Sequence, residues 1–489
     1  MTDLRQRVLD AIELLEELDK DQRVLAQLDE EHRLRLLIAA GQVSRPGRMQ
    51  RKRFTKLMAR QRHDAKRVSD EAILNQSGIR QLRKQVVFRT PLPRPSFAAL
   101  DAPLRNSGDA WSEAEAEREA PRVEDARNCY VCKRDYHELH HFYDQLCGDC
   151  ADLNWRKRQQ TADLRGRVAL VTGGRVKIGY QAAIMLLRAG AEVIVATRFP
   201  RDAARRFGRE ADSADWSRRL HVYGVDLRHT PSVELLAHHL LETQTRLDGL
   251  INNACQTVRR PSGWYAQVAR AEEGSAGPLE GQILERNRAL HSAMLSQVPM
   301  LAEDLERGEH LFPQGRLDQD LQQVDLRESN SWRMALADVP TAELLEVHLV
   351  NAVAPFVLNA RLRPLLAAVP TRDAHVVNVS AMEGQFYRQW KTDKHPHTNM
   401  AKAALNMMTR TSAADYVRDG IHMNSVDTGW VTDEDPQHHA ERKTRIHGFH
   451  PPLDIVDGAA RIIDPLFDGL NTGNHVWGMF LKDYKPAPW

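Results

Sequence analysis

The 489-residue sequence contains no stretch approaching the roughly 20 consecutive apolar residues that a membrane helix requires, so no spanning segment is expected. Neither sign of charge is in excess: 68 Lys and Arg stand against 66 Asp and Glu, a net charge of +2. The overall balance gives no reason to expect a nucleic acid or a membrane as partner. The first residues, MTDLRQRVLDAIELLEELDK, alternate charge with leucine and lack the basic-then-apolar order of a secretory signal, so a cytoplasmic location is expected. Cysteine is scarce as well, five in all, and four of the five fall into two C-x-x-C pairs within one short segment. In an intracellular protein that clustering favours a metal over disulfides.

Residues 1–90 read as helices. Leu4, Val8, Ile12 and Leu15 recur at helical spacing, as do Leu34, Leu36, Leu37 and Ile38. Between Arg45 and Arg67 runs a basic stretch, RPGRMQRKRFTKLMARQRHDAKR, with Asp64 its single acid; it suits either phosphate groups or a solvated helix face. Residues 91–125 carry Pro91, Pro93, Pro95 and Pro103 ahead of an Ala/Glu-rich stretch, which predicts a partly extended linker. A cysteine module follows at 126–158. From 164 to 489 short apolar runs alternate with helical segments, the pattern of a parallel sheet flanked by helices. The expected fold class is α/β: a doubly wound Rossmann domain with a parallel sheet of about seven strands, preceded by a helical region and a small zinc-binding module.

In NCYVCKRDYHELHHFYDQLCGDC, Cys129, Cys132, Cys147 and Cys150 form two C-x-x-C knuckles separated by fourteen residues. Each knuckle turns two thiolates toward one ion, and two knuckles complete a tetrahedral four-cysteine site for zinc. One C-x-x-C alone could be redox-active, but a second pair so close makes structural zinc the stronger reading. His137, His140 and His141 lie between the knuckles, and one could replace a cysteine, although four thiolates already fill the site. A closed site leaves no position for water, so it stabilises a small fold without doing chemistry. The surrounding Tyr130, Phe142, Tyr143, Trp155, Arg156, Lys157 and Arg158 suit a protein or nucleic acid surface, or packing on the next domain.

The run RVALVTGG reads as a strand ending in a tight turn, and RVKIGYQAAIMLLRAG as the amphipathic helix after it. A glycine-rich turn between strand and helix lets the backbone approach a pyrophosphate. The loop Thr172-Gly173-Gly174-Arg175-Val176-Lys177-Ile178-Gly179 resembles the T-G-x-x-x-G-x-G fingerprint of the short-chain dehydrogenase/reductase family. Lys177 takes the place of the middle glycine, as in the pteridine-reductase branch. Further elements follow in the family's order. Asp226-Leu227 is similar to the adenine-contacting pair, and Asn252-Asn253-Ala254-Cys255 to the N-N-A-G motif with Cys255 in the glycine place. The resemblance implies a cofactor held by Thr172, Gly173, Arg175, Lys177, Ile178, Gly179, Arg198, Asp226, Leu227, Asn253 and Ala254. NAD-preferring members carry an acid after the second strand. Here AEVIVAT ends at Thr197-Arg198, so Arg198 and Arg175 imply a 2′-phosphate, hence NADP rather than NAD.

The same resemblance implies four catalytic residues: a tyrosine as general acid, a lysine four residues later, a serine on the preceding strand, and an asparagine holding a relay water. Asn351, in VNAVAPFVLNARLRPLL, and Lys402, in TNMAKAALNMMTR, match two of them; Lys402 would also hold the nicotinamide ribose. The tyrosine position is Thr398, whose hydroxyl is a far weaker acid than a phenol. In VVNVSAMEG the serine position is Ala381. Ser380, one residue away, faces the other side of a strand unless alternation relaxes at its end. The proton donor is then sought among His395, His397 and Tyr387, in a segment dense with ionisable groups that fits a reworked active site or a surface loop. Farther on, IHMNSVDTGWVTD is similar to the family's N-x-V-x-P-G segment, with Thr428 in the proline place, then Gly429, and with Val431 and Thr432 where members contact the carboxamide.

Asn252 and Asn351 are separated by far more chain than the family uses. Residues 258–340 therefore read as a charged, helical insertion carrying Trp264, Tyr265 and Trp332, either a lid that shapes the substrate pocket or an interaction surface. The leading functional expectation is an NADP-dependent oxidoreductase that reduces a carbonyl or imine of a small molecule with a non-standard proton donor. The alternative is a catalytically silent nucleotide-binding scaffold that engages a protein partner through its zinc module and insertion. A nucleic-acid-associated protein is a third reading, opposed by the charge balance. The resemblance also implies a homodimer or tetramer, paired through the helices that contain Asn351 and Lys402.

Overall fold

The computed structural model describes residues 2–92, 120–273, 292–305, 308–387, 391–447 and 450–489. The chain forms two compact units, Met1–Ala72 and Ile73–Trp489. In the first, the apolar periodicity produces the helices Thr2–Lys20, Arg23–Ala26 and Glu30–Ser44, followed by the start of Arg48–Leu74. Asp29 caps the third of these: its carboxylate accepts from the His32 backbone N–H at 2.9 Å, satisfying one of the free donors at the helix start. The basic stretch lies on Arg48–Leu74 with residues 51–67 exposed throughout, a solvated helix face.

The cysteine module starts earlier than its pattern suggested. Arg122–Asn128 (β1) already pairs antiparallel with Asp135–Glu138 (β2), and the helix Gly148–Arg158 follows. The expected linker thus ends before Arg122, and its residues 93–119 lie outside the described residues. The module also recruits the helix Gly78–Lys84, which periodicity alone had grouped with the N-terminal helices. Gly78 N–H donates to His141 O at 3.0 Å, Ile79 N–H to Phe142 O at 2.9 Å, and Arg80 Nε to the buried Asp144 carboxylate at 2.6 Å. Period tells that a helix has an apolar face but not which core that face joins.

The second unit is built on one sheet. Its strands are Val168–Thr172 (β3), Glu192–Thr197 (β4), Leu220–Gly224 (β5), Gly249–Asn252 (β6), Ala374–Ser380 (β7), Ile421–Asp427 (β8), Phe480–Lys482 (β9) and Lys485–Ala487 (β10). They lie in the order β10-β9-β8-β7-β6-β3-β4-β5. The seven from β3 to β9 are parallel, as expected, and the short β10 adds an antiparallel edge that the sequence did not announce. All of β3 and β7 is buried, as both-face coverage demands. The helices Lys177–Arg188 and Ile455–Thr472 supply one apolar layer, and Thr230–Thr243 and Ala354–Ala367 the other. The segment Thr341–Ala367 is long and apolar enough to cross a membrane by length and composition, yet Leu358, Leu362 and Leu366 are spent on the core.

The chain leaves β3 toward β4 and β5 on one side and returns to β6 on the other. This reversal leaves a crevice at the carboxyl ends of the strands, where nucleotide sites form in open α/β sheets. The insertion departs from expectation. It holds the helix Ser262–Glu272 and the short turn Ser292–Leu295, but residues 308–340 carry only brief 3₁₀ turns and irregular chain, and 274–291 lie outside the described residues. Ion pairs brace it instead: Arg259 to Asp304 at 2.6 Å and Arg327 to Asp325 at 2.8 Å. The charges of the insertion are thus partners for one another rather than the outer face of helices.

Candidate functional site

A cleft of 1110 Å³ opens at the carboxyl ends of β3, β4, β6, β7 and β8. It is larger than the roughly 300–1,000 Å³ of most small-molecule pockets, enough for a dinucleotide with a substrate beside it. Its floor is the loop after β3. Gly173 takes φ +69°, and a Cβ there would meet Ala254 Cα at 2.8 Å. One on Gly179 would lie 2.2 Å from Asn253 Nδ2 and 2.5 Å from Gly173 O. Asn253 Nδ2 in turn donates to Thr172 O at 3.0 Å, and Ala254 N–H to Thr172 Oγ1 at 3.0 Å, so the two motifs brace each other. Lys177 adopts φ +54°, the left-handed shape of the glycine it replaces, at a cost of roughly 1–2 kcal/mol. Burial works against its charge, but Glu434, Asp320 and Asp318 outweigh it and raise the ammonium pKa.

At the adenosine end the two arginines have different fates. Arg198 lines the cleft with its guanidinium 4.5 Å over the Tyr265 ring, donating to that hydroxyl at 2.8 Å. Arg175 lines the same cleft, with Nη1 bound to Asp202 at 2.7 Å and Nη2 donating to Gln322 at 3.3 Å. Burial works to raise the Asp226 carboxyl, but Arg228, at 2.7 Å, holds it below the usual range. Leu227 lies beside it on the wall. Trp264, Tyr265, Asp318 and Gln322 of the insertion line the same end, so the insertion shapes the pocket.

Ser380, Lys402, Asp427, Gly429 and Val431 meet at the other end. Lys402 Nζ donates to Val379 O at 2.7 Å. Ser380 Oγ is buried and has no hydrogen-bond partner among the described residues. Ser380 and Asp427 are register partners at the ends of β7 and β8. Asp427 accepts from Met382 N–H at 3.1 Å and Gly429 N–H at 3.2 Å. Burial pushes its carboxyl up; Lys482 opposes this, and Glu383 and Asp483 reinforce it. Tyr130, from the cysteine module, also lines the cleft, its hydroxyl accepting from Trp430 N–H at 2.9 Å.

Residues 167–271 match the short chain dehydrogenase family and residues 326–449 the Enoyl-(Acyl carrier protein) reductase family. The unmatched gap between them falls within the insertion. An uncharacterized protein of Acanthamoeba polyphaga mimivirus is 31% identical over 354 residues, 70% of this chain and 71% of that protein. The chain belongs to the short-chain dehydrogenase/reductase family, a class of NAD(P)-dependent oxidoreductases. A rhamnolipids biosynthesis 3-oxoacyl-[acyl-carrier-protein] reductase of Pseudomonas aeruginosa is 40% identical over 98 residues, covering 19% of this chain and 34% of that protein. Dehydrogenase/reductase SDR family member 13 of Homo sapiens is 38% identical over 19% of this chain and 24% of its own. These reductases thus match over only about a quarter to a third of their length. Among solved structures, an NADPH-bound carbonyl reductase from chicken fatty liver superposes with a TM-score of 0.42 at 18% identity, over 67% of this chain and all of its own.

Against the short-chain dehydrogenase/reductase pattern, Lys402 and Ser380 reach the cleft, whereas the other expected catalytic groups do not line it. Asn351 sits in a π-helical turn, Leu349–Val353, with Oδ1 accepting from Gln256 N–H at 2.7 Å and Nδ2 donating to Gln256 O at 3.1 Å. Its amide braces the chain after β6, and the side chain does not line the cleft. Thr398 and His397 are buried off the cleft, His397 at 3.7 Å from Glu343. His395 stacks on Trp332 at 3.9 Å in a side pocket of 290 Å³, and burial lowers its pKa. Tyr387 is 96% exposed. Asp427 was missed, although an acid closing the buried run IHMNSVD was a readable signal. Tyr130 gave none, being some 300 residues distant in sequence from its partner.

The four sulfurs of Cys129, Cys132, Cys147 and Cys150 lie within 4.8 Å of one another, Cys132 and Cys147 at 3.6 Å. Tetrahedral sulfurs at zinc-bond lengths of about 2.3 Å stand about 3.8 Å apart, so the quartet fits a zinc ion. His140 is not needed: its Nδ1 accepts from the Phe142 and Tyr143 N–H groups at 3.0 and 3.3 Å.

Proposed function

We propose that the protein is an NADP-dependent reductase of a carbonyl or imine, in which the Asp427 carboxyl gives the proton that a tyrosine gives elsewhere in the family. One observation carries this reading: a buried carboxyl, made more basic by burial, lines the cleft beside an unpartnered serine hydroxyl and the family lysine. The pyrophosphate would lie on the 172–179 loop, the 2′-phosphate at Arg198, and the nicotinamide against Gly429 and Val431. Bound there, the cofactor supplies a hydride. Lys402 exchanges the Val379 carbonyl for the ribose hydroxyls. Ser380 donates to the substrate oxygen or nitrogen and orients it. With hydride delivered to the carbon, Asp427 would pass its proton to the carbonyl oxygen or imine nitrogen, giving the alcohol or amine. The carboxylate left behind is stabilised by the Met382 and Gly429 N–H groups and is reprotonated from solvent. Trp332 and Trp430 form part of the cleft wall. We further infer a structural zinc on the four cysteines and, since such a thiolate site suits a compartment that keeps thiols reduced, a cytoplasmic location.

A second reading has its own observation. Asn351 and Lys402, the two matched family residues, are both engaged by backbone, as in a scaffold that holds nucleotide without turning it over. The test is calorimetric titration with NADPH, followed by its oxidation with a panel of ketones, aldehydes, imines and pterins. Turnover that falls at least a hundredfold in Asp427→Asn with NADPH affinity kept within twofold supports the first reading. Undiminished turnover in that variant removes Asp427 from the mechanism, binding without turnover establishes the scaffold, and no binding sinks both.

A further inference from the structure

A second group of metal-ligating side chains lies at the opposite end of the sheet from the cleft. His375, near the start of β7, pairs in register with Gly249 of β6 and His422 of β8, and His475 sits in the turn between the helix Ile455–Thr472 and β9. One imidazole nitrogen of each lies within 4.8 Å of those of the other two. The nearest pair is His375 Nε2 and His475 Nδ1, 2.9 Å apart, and the ring centroids are separated by 4.8 to 5.2 Å. No part of the reductase mechanism uses these residues.

Three features fit this group to a cation. Imidazole nitrogens at about 2.0–2.1 Å from one ion in tetrahedral array stand about 3.3–3.4 Å apart, which small ring rotations reach from the spacing present here. His422 Nδ1 lies 3.3 Å from Ala374 O, and donation to that carbonyl leaves the Nε2 lone pair free, the arrangement that orients ligating histidines. The neighbouring helix is bare where the nitrogens converge: a Cβ on Gly469 would stand 2.6 Å from His475 Nδ1 and 3.2 Å from His375 Nε2. A single hydrogen bond between His375 and His475 accounts for neither the third histidine nor the glycine. The nearby Asp373 is already committed to Arg167 at 2.8 Å, so the donor set is three neutral imidazoles.

We propose that His375, His422 and His475 bind a divalent transition-metal ion of the zinc class and fasten the turn before β9 to β7 and β8. Imidazole selects such ions over Mg²⁺ and Ca²⁺, which prefer oxygen. His422 and His475 are only partly buried, so water has access to a fourth position. The full-length protein, purified with its cysteine site loaded, is titrated calorimetrically with Zn²⁺ alone and, separately, with Mg²⁺. One further equivalent of Zn²⁺ is expected to bind and to raise the Tm, and Mg²⁺ to do neither. His422→Gln and His475→Gln should each weaken that binding at least tenfold and abolish the Tm rise while keeping the circular dichroism of the parent. Gly469→Ala, which leaves all three histidines in place but fills the gap, should do the same. Absence of a further equivalent, or one that the folded histidine variants bind as tightly as the parent, overturns the site.

Discussion

A carboxyl acts as a proton donor only while it holds its proton, and burial sets that range for Asp427. Because its pKa is raised, the acid form persists above the usual carboxylate range and is lost as pH rises through the raised value. The rate of reduction should therefore fall with rising pH. Asp427→Asn should remove this limb together with about 10²–10⁴ of the rate, read from pH profiles of kcat/KM. At the other end of the cleft, we place the proposed 2′-phosphate at Arg198, since Arg175 on the same wall is held by Asp202, which it shares with Arg206. Arg198→Ala should weaken NADPH by about ten- to a hundredfold, the worth of a hydrogen bond to a charged group, and leave NADH nearly unchanged in parallel titrations. Equal losses for both nucleotides would reassign the adenosine end.

The phosphate loop shows at the scale of an element why glycine spacing is so readable. Gly179 has no room for a methyl group because Asn253 and the Gly173 carbonyl close over it. Gly179→Ala should push these apart and cost at least a hundredfold in NADPH affinity, while the far-ultraviolet circular dichroism of the sheet and helices stays as in the parent. The insertion was less readable. Its charge content suggested solvated helices, but Arg259 and Asp304, and Arg327 and Asp325, satisfy one another across irregular chain. The segment 391–402 misled for a related reason. His395 and His397 looked available because they are ionisable, yet packing against Trp332 and burial near Glu343 take both off the cleft.

On the scale of the whole second unit, the cysteine module and the Rossmann sheet share a core. Leu139, Tyr143 and Leu146 pack with Leu453, Ile455 and Val456. Tyr143 donates to Asp457 at 2.5 Å and Arg158 to Asp454 at 2.6 Å. The same module carries Tyr130 to the cleft wall. Removing a metal from the cysteines should thus lower the Tm of the whole unit in one transition and weaken NADPH binding as well, both restored by Zn²⁺. A low-temperature transition that leaves nucleotide binding intact would show the module to be independent. The expected pairing of subunits also belongs here: Phe356, Met400 and Met407 are exposed on the helices Ala354–Ala367 and Pro396–Tyr416. We infer a homo-oligomer through this face, so Phe356→Glu should reduce the mass found by light scattering to that of one chain.

The strand and helix periods, the turn glycines and the paired C-x-x-C spacings are local properties, and each follows from backbone geometry over a few residues. They were enough to determine the doubly wound sheet, the nucleotide loop and the thiol quartet. The tertiary structure alone decided which charged groups are free. Arg175 and Arg198 look alike along the chain and both line the cleft, but one is held by Asp202 and the other lies over the Tyr265 ring. Asn351 matches a relay residue along the chain, and only the fold shows its amide bonded to the Gln256 backbone and away from the cleft wall. Asp427, Tyr130 and the three histidines acquire their settings from segments far apart in sequence, because burial and approach distance, which set acidity and ligation, are properties of the packed chain rather than of any short stretch of it.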